Sequence, residues 1–129
     1  EMEKKRDNLL FLGIVDREKM NEVYNMADVF VLPSYSELFP MALLENCQTM
    51  HPYIVRDLDL YNDILIGDYL RANDTNAFSA LLRKLKSDEA FYNFSKRLSK
   101  AMSEKYSEEN LYRTWKNYYY SIFKKYSKE

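Results

Sequence analysis

The chain has 129 residues and contains very few of the residue types on which several common kinds of site depend. Its single cysteine, Cys47, excludes an internal disulfide and fits a reducing compartment. Its single histidine, His51, has no second histidine with which to form a metal cluster. With only two glycines, the chain also has no glycine-rich phosphate-binding loop. We therefore expect no metal and no cofactor.

Long apolar runs are absent as well. The longest clean run, residues 9–15, is far shorter than the roughly 20 residues that a membrane-spanning helix needs. No signal-peptide pattern is visible, so we expect a cytoplasmic protein. The chain begins at Glu1 and opens on charged residues, and we expect it to be part of a longer protein.

The formal net charge of −1 conceals an uneven distribution of charge along the chain. Residues 96–129 hold nine Lys and Arg against four Asp and Glu, a net charge of +5, so the rest of the chain carries −6. An acidic body is thus followed by a basic, aromatic tail. We interpret the lysines of the tail as a solvated face, and we expect no nucleic-acid partner.

The order of apolar runs and helix signals predicts an α/β fold. The predicted buried strands lie at residues 9–15, 29–32 and 53–55, with another near 69–70. Helices are predicted between and after them, with N-terminal caps at Asp16, at Asp74 or Thr75, at Ser87 and at Ser107. The inward faces of the first four helices are expected to comprise Met20, Val23, Tyr24, Ala27, Leu43, Cys47, Met50, Phe78, Leu81, Leu82, Leu85, Phe91, Phe94, Leu98 and Met102. Strands that alternate with helices predict a Rossmann-like parallel sheet with flanking helices.

The stretch SELFPMALLEN, residues 36–46, follows the second predicted strand. In an open parallel sheet, ligands bind beyond the carboxyl ends of the strands, and this loop starts at such an end. Pro40 suits the first turn of the helix that follows, and Phe39 at the expected N-cap position has no capping oxygen. The N–H groups of Met41 and Ala42 are therefore expected to be free to bind an anion, most naturally a phosphate.

Two glutamates lie on either side of this expected anion site. Glu37 precedes the helix, and Glu45 lies about a turn and a half into it. An ionised carboxylate only accepts hydrogen bonds, so it suits hydroxyl groups rather than phosphates. A ligand that meets Glu37, the amides and Glu45 in turn would present hydroxyl groups, then phosphate, then hydroxyl groups. A sugar, a diphosphate and a ribose have this order. On spacing alone, the alternative that both are ordinary solvated glutamates stays open.

The longer stretch ADVFVLPSYSELFPMALLEN, residues 27–46, resembles the signature of retaining glycosyltransferases with the two-domain GT-B fold. Pro33 and Ser34 match the end of the family's strand, and Glu37 and Glu45 match its E-x(7)-E pattern. Pro52 matches the proline that starts the family's next strand. The resemblance covers residues 8 to about 105. It implies that residues 1–105 are the later part of a nucleotide-sugar donor-binding domain, in a partial C-terminal domain of a GT-B fold. It also implies that the N-terminal acceptor domain lies upstream and that this chain alone is inactive.

The resemblance implies roles for individual residues as well. Glu37 would be the catalytic residue near the reacting carbon of the donor sugar, and Glu45 would hold the ribose hydroxyls of a UDP-sugar. Backbone amides between them would hold the diphosphate. The full expected donor-binding set is Ser34, Tyr35, Glu37, Phe39, Pro40, Met41, Ala42 and Glu45. Pro40 and Met50 are departures, because family members commonly have glycine at both places.

A shorter match indicates a substrate class. The stretch RDLDLY, residues 56–61, resembles part of bacterial glucosyltransferases that act on diacylglycerol lipids. It implies UDP-glucose as the donor and a lipid or saccharide as the acceptor.

Two other classes of function are alternatives. One is a non-catalytic, receiver-like α/β regulatory module, but Asp16 alone at the first strand end is a poor match for its acidic cluster. The other is a glycosidase that uses Glu37 and Glu45 as an acid–base pair. The expected free amides between the two glutamates favour a phosphate-bearing donor instead.

Residues 106–129 are predicted to form a C-terminal amphipathic, aromatic helix. Its apolar stripe comprises Leu111, Tyr112, Trp115, Tyr118, Tyr119, Ile122, Phe123 and Tyr126. In the resembled family the last helix commonly crosses to the acceptor domain, which implies that the stripe docks there. A rival interpretation is peripheral contact with the inner face of the cell membrane, because Tyr and Trp lie beside lysines. Packing on the helix's own domain is the third.

Overall fold

The structure, a computed structural model, describes residues 7–126 of the chain. Its strands form one parallel sheet in the order β1-β2-β3. They are β1 (Phe30–Leu32), β2 (Tyr53–Arg56) and β3 (Leu70–Ala72). Leu32 pairs with Val55, and Val55 pairs with Arg71, so the carboxyl ends of the strands lie side by side. The predicted Rossmann-like α/β class is confirmed, and each strand overlaps a predicted one.

Six helices lie within the described residues. They are α1 (Met20–Asn25), α2 (Met41–Cys47), α3 (Tyr61–Ile64), α4 (Thr75–Ser87), α5 (Glu89–Lys105) and α6 (Glu108–Tyr126). A short 3-10 turn (Arg17–Lys19) precedes α1. Helix α2 packs against α1, α5 and the first two strands, and α4 packs against α5 and β3. The helices thus cover both faces of the sheet and leave its carboxyl edge open to the loops.

Side-chain caps start the two long helices after the sheet. The Asp74 carboxylate accepts a hydrogen bond from the Ala77 N–H at 2.9 Å, so Asp74, and not Thr75, is the cap of α4 among the two predicted. The predicted cap of α5 at Ser87 is wrong, because Asp88 accepts from the Phe91 N–H at 2.9 Å instead. Asp88 has the extended backbone that an N-cap needs, whereas Ser87 still belongs to α4.

The predicted strand at residues 9–15 is wrong. These residues have no regular structure, and their apolar side chains are mostly exposed, Ile14 completely and Leu10 by 73%. A strand of a parallel sheet needs a neighbour for its backbone hydrogen bonds, and no described segment pairs with residues 9–15. Asp16, which follows, forms no side-chain capping bond, and α1 begins four residues later, at Met20.

Two hydrophobic clusters lie on the two faces of the sheet. Successive residues of β2 point to opposite faces, so Ile54 and Val55, both fully buried, belong to different clusters. The larger cluster comprises Leu43, Cys47, Tyr53, Val55, Tyr61, Ile64, Leu65, Tyr69 and Met102, and the smaller one comprises Ile54, Leu70, Ala72 and Leu85. Each fully buried aliphatic side chain contributes about 1.5–3 kcal/mol. This burial fixes the strands, and with them the loops at the carboxyl edge.

Four residues that are predicted to face inward are exposed instead. Met50 lies beyond the end of α2 with a φ of 61°, so it has left the helical stripe. Ala27 lies beyond the end of α1 in the same way. Leu82 and Phe94 lie at the margins of their stripes, where the narrow sheet and the neighbouring helices do not cover them.

Helix α6 begins at the predicted cap, where the Ser107 Oγ accepts from the Asn110 N–H at 3.3 Å. None of its residues is buried. Trp115, Tyr118 and Tyr119 pack on one another, with ring centroids 5.9 to 6.1 Å apart. The predicted aromatic stripe is therefore uncovered in the described part of the chain. No helix between residues 7 and 126 has the length and apolarity to cross a membrane.

Candidate functional site

The loop from Pro33 to Pro40 joins β1 to α2 at the carboxyl edge of the sheet, where parallel sheets bind ligands. The predicted site residues lie on this loop and on the helix that follows. Pro33 has no N–H, so it cannot continue the β1 ladder beyond Leu32. Tyr35 and Leu38 are 84% and 95% exposed, whereas Pro40 is buried. The loop thus presents side chains to solvent while its end is anchored in the fold.

Arg56, the last residue of the central strand β2, contacts this loop from the side. Its Nε donates to the Pro33 carbonyl oxygen at 3.0 Å, and its Nη1 donates to the Asn73 carbonyl oxygen at 2.6 Å. Its guanidinium carbon lies 3.8 Å from the centre of the Tyr35 ring. One side chain therefore connects the loops that follow β1 and β3.

Glu37 is half-buried on the loop, and its charge acts on Tyr61, the first residue of α3. Burial, and then the negative charge of Glu37, raises the pKa of Tyr61 to about 12. The Tyr61 side chain is fully buried, and its hydroxyl makes no hydrogen bond with any residue that the structure describes. At neutral pH the Tyr61 hydroxyl is therefore protonated, and no residue between 7 and 126 forms a hydrogen bond with it.

Glu45 lies on the exposed side of α2 and contacts α1. Its Oε2 accepts a hydrogen bond from the Tyr24 hydroxyl at 2.9 Å. Burial, and then this contact with Glu45, raises the pKa of Tyr24 to about 12, so the hydroxyl stays a donor at neutral pH. Glu45 also borders a groove lined by Arg17, Met20, Asn21, Tyr24 and Gln48. The two predicted glutamates thus have different neighbours, α3 for Glu37 and α1 for Glu45.

The start of α2 differs from the prediction in two details. Pro40, not Phe39, is the N-cap residue, because its ψ of 70° lies outside the helical range. The prediction that the Met41 amide is free is wrong, since the Met41 N–H donates to the Phe39 carbonyl oxygen at 2.9 Å. The Ala42 N–H makes no hydrogen bond within residues 7–126. One amide, rather than two, is available to an anion before any rearrangement.

The remaining predicted donor-binding residues lie along the same stretch. Ser34 is half-buried, and Met41 is exposed. The Phe39 ring packs edge-on against Tyr106 at the end of α5, with ring centroids 6.1 Å apart. The structure places the whole predicted set on one loop and on the helix α2 that follows it. Its role in binding a donor stays a prediction.

His51 and Cys47 serve the packing of α2. The His51 carbonyl accepts from the Ser99 Oγ at 2.6 Å, and its ring Nδ1 lies 3.3 Å from the Tyr24 carbonyl oxygen. Cys47 is fully buried, and burial raises the pKa of its thiol to about 12. In the part of the chain that the structure describes, no three His, Cys, Asp or Glu side chains are grouped so that they could hold a metal ion.

Comparison with known proteins shows to which family this α/β chain belongs. A family model described as "Glycosyl transferases group 1" matches residues 1–106. The chain is 41% identical over 118 residues to the alpha-galactosylglucosyldiacylglycerol synthase of Streptococcus pneumoniae (strain ATCC BAA-255 / R6), a match over 92% of this chain and 32% of that protein. It is 29% identical over 83 residues to the processive diacylglycerol alpha-glucosyltransferase of Acholeplasma laidlawii, a match over 63% of this chain and 25% of that protein.

The chain belongs to the group 1 glycosyltransferase family. The predicted resemblance is confirmed, and the parallel sheet with its flanking helices is the Rossmann-like fold of a partial GT-B domain. The chain spans about a third of the length of the first relative and a quarter of the second. Membership in this family favours glycosyl transfer over the receiver-like and glycosidase alternatives.

Proposed function

We propose that this chain is the donor-binding part of a retaining hexosyltransferase that transfers glucose from UDP-glucose to a lipid or saccharide acceptor. The family match over residues 1–106 carries the proposal, because it includes the loop with Glu37 and the helix with Glu45. In this proposal residues 1–105 are the later part of the donor domain, and residues 106–129 are a C-terminal segment whose helix α6 docks on the acceptor domain of a longer protein. The chain alone is inactive.

The nucleotide half of the donor lies against α2 in this proposal. The Tyr24 hydroxyl occupies Oε2 of Glu45, which leaves Oε1 to accept a hydrogen bond from a ribose hydroxyl. The Ala42 N–H, at the positive end of the helix, donates to the diphosphate. Met41 contributes its exposed side chain, and its amide contributes only if the turn at Phe39 opens.

The sugar half of the donor lies beside Glu37. When the bond between the sugar and the diphosphate breaks, positive charge develops at the reacting carbon, and a carboxylate held nearby stabilises it. Glu37 is the acidic residue of the loop that follows the carboxyl end of β1, and it lies four residues before the start of α2. Ser34 and Tyr35 at the start of the same loop face the sugar in this proposal.

The acceptor and the location follow from the relatives rather than from the site. Both relatives bear names that contain diacylglycerol, which supports a lipid acceptor for this protein. A lipid acceptor requires access to a membrane surface, and in this proposal that surface is the cytoplasmic, inner face of the cell membrane. The aromatic residues and lysines of α6 fit either the acceptor domain or the membrane surface.

The test is transfer of labelled sugar by the full-length protein from UDP-glucose, and separately from UDP-galactose, to diacylglycerol in vesicles. We expect glycolipid from UDP-glucose, and we expect Glu37→Gln to lower kcat on the order of 100-fold with little change in donor affinity. Glu22→Gln, an exposed glutamate of α1, is the matched control and should turn over like the wild type. Full turnover by Glu37→Gln would remove Glu37 from the site, and product from UDP-galactose alone would refute glucose as the transferred sugar. Absence of product with both donors would refute diacylglycerol as the acceptor, and absence of UDP-glucose binding as well would refute the proposed function.

A further inference from the structure

We infer that Arg56 is a positioning residue for the donor site, because it fixes the loop that carries Glu37. The inference rests on the proposed function for the role of Glu37 and on the contacts of Arg56 for the rest. Arg56 ends the central strand of the sheet, and its side chain reaches the loops that follow both neighbouring strands.

The two hydrogen bonds of Arg56 extend the sheet beyond the end of its backbone ladder. Pro33 follows β1 and has no N–H, and Asn73 follows β3. Their carbonyl oxygens accept from Nε and Nη1 of the same guanidinium, at 3.0 and 2.6 Å. Because the guanidinium is planar and rigid, these two bonds hold the loops after β1 and β3 at a set separation.

The third contact of Arg56 is made with a side chain of the same loop, that of Tyr35. The guanidinium carbon lies 3.8 Å from the centre of the Tyr35 ring, within cation–π range. Tyr35 is 84% exposed, so this contact is not part of the hydrophobic core. Tyr35 comes two residues before Glu37. With Pro33 bonded and Tyr35 stacked, the backbone that leads to Glu37 is held at two points.

A neighbouring arginine shows what is particular to Arg56. Arg71 of β3 also lies over a tyrosine, with its guanidinium carbon 4.3 Å from the centre of the Tyr69 ring. Arg71 is paired with the Asp57 carboxylate at 3.3 Å. Within residues 7–126, Arg56 has no carboxylate partner at such a distance. Its hydrogen bonds go to two backbone carbonyls, and the nearer of its two ring neighbours is the exposed Tyr35, with Phe78 farther off at 5.9 Å from the guanidinium carbon. This arrangement positions a loop.

The first experiment compares Arg56→Gln and Arg56→Lys in the full-length enzyme, with Arg71→Gln as the matched control. Lysine keeps the charge but lacks the planar fork, so it cannot contact both carbonyls and stack on Tyr35 together. We expect both Arg56 variants to lower kcat by roughly 10- to 100-fold with the KM for the donor almost unchanged, because a small displacement of a catalytic group has that effect. Arg71→Gln should keep wild-type kcat. Equal losses from Arg56→Gln and Arg71→Gln would overturn the inference, since they would indicate general damage to the sheet.

Variants of Tyr35 test the stacking contact separately. Tyr35→Phe keeps a ring beneath the guanidinium and should lose less kcat than Tyr35→Ala. Tyr35→Ala removes the ring and should lower kcat in the same direction as Arg56→Gln. Wild-type turnover by Tyr35→Ala together with Arg56→Lys would overturn the inference, and that pair decides the matter even if Arg56→Gln does not fold.

A double-mutant cycle separates the failure of this inference from the failure of the proposed function. If Arg56 acts through Glu37, Arg56→Gln lowers kcat no further once Glu37→Gln is present. Independent, multiplied losses would overturn the positioning role and leave the proposed function intact. Wild-type turnover by Glu37→Gln alone would instead refute the role proposed for Glu37, and the inference would fail with it.

Discussion

Replacement of Glu45 by alanine is expected to raise the KM for the nucleotide sugar in the full-length protein and to change kcat less. The Tyr24 hydroxyl donates to Glu45 Oε2 at 2.9 Å, so the carboxylate is held in place before a donor binds. A hydrogen bond to a charged group contributes about 1.5–3 kcal/mol. At about 1.4 kcal/mol for each factor of ten, loss of the ribose contact raises the KM by roughly 10- to 150-fold.

Tyr24→Phe is the matched variant, because it removes the hydroxyl that orients Glu45 and keeps the ring that packs edge-on against Phe30. It loses the orientation but not the carboxylate, so its KM should rise by only a few-fold, in line with about 0.5–1.5 kcal/mol for one hydrogen bond. The assay is initial-rate kinetics with UDP-glucose varied at saturating acceptor. A wild-type donor KM in Glu45→Ala would refute the ribose role. So would a donor KM that rises more in Tyr24→Phe than in Glu45→Ala.

Four further predictions concern the chain itself. The 129-residue chain should bind UDP-glucose weakly or not at all, because it has no glycine-rich phosphate-binding loop and its α2 offers the diphosphate one available amide, that of Ala42; micromolar affinity by calorimetry would contradict this. Met50→Gly should stabilise the chain by about 1 kcal/mol, because Met50 has a φ of 61°, which glycine adopts without strain, and its half-exposed side chain loses little packing. An unchanged midpoint of urea unfolding would contradict this. The free energy of unfolding should fall as pH rises from about 9 towards 12, because burial raises the pKa of Cys47 from 9.0 to about 12 and only the unfolded thiol ionises between these values. In urea unfolding between pH 9 and 10, the free energy of unfolding of Cys47→Ala should fall less steeply than that of the wild type. Amides of residues 111–126 should exchange faster in this chain than in the full-length protein, and equal protection in both would contradict docking of α6.

The strands of the sheet are predictable where a proline marks an end. Pro33 stops β1 and Pro52 precedes β2, and both apolar runs are strands at the predicted places. The run at residues 9–15 has the same local pattern and is not a strand. A local pattern indicates that a segment suits a sheet, but the pairing partner comes from elsewhere in the fold.

The position of the candidate site is predictable, but its surroundings are not. The order of strand, loop and helix places Glu37 at the carboxyl edge from the sequence alone. The side chains that contact this stretch come from distant parts of the chain: Tyr24 reaches Glu45 over 21 residues, and Arg56 reaches Pro33 over 23. No spacing rule relates such pairs, because packing of α1 and register of β2 bring them together.

Transfer of labelled glucose from UDP-glucose to diacylglycerol vesicles by the full-length protein tests the proposed donor site most directly, when wild type, Glu37→Gln and Glu45→Ala are measured side by side. The proposed function predicts labelled glycolipid from the wild type, a loss of kcat in Glu37→Gln and a raised donor KM in Glu45→Ala. A wild-type protein that neither binds UDP-glucose nor forms labelled lipid would contradict it, as would two variants that both behave like the wild type.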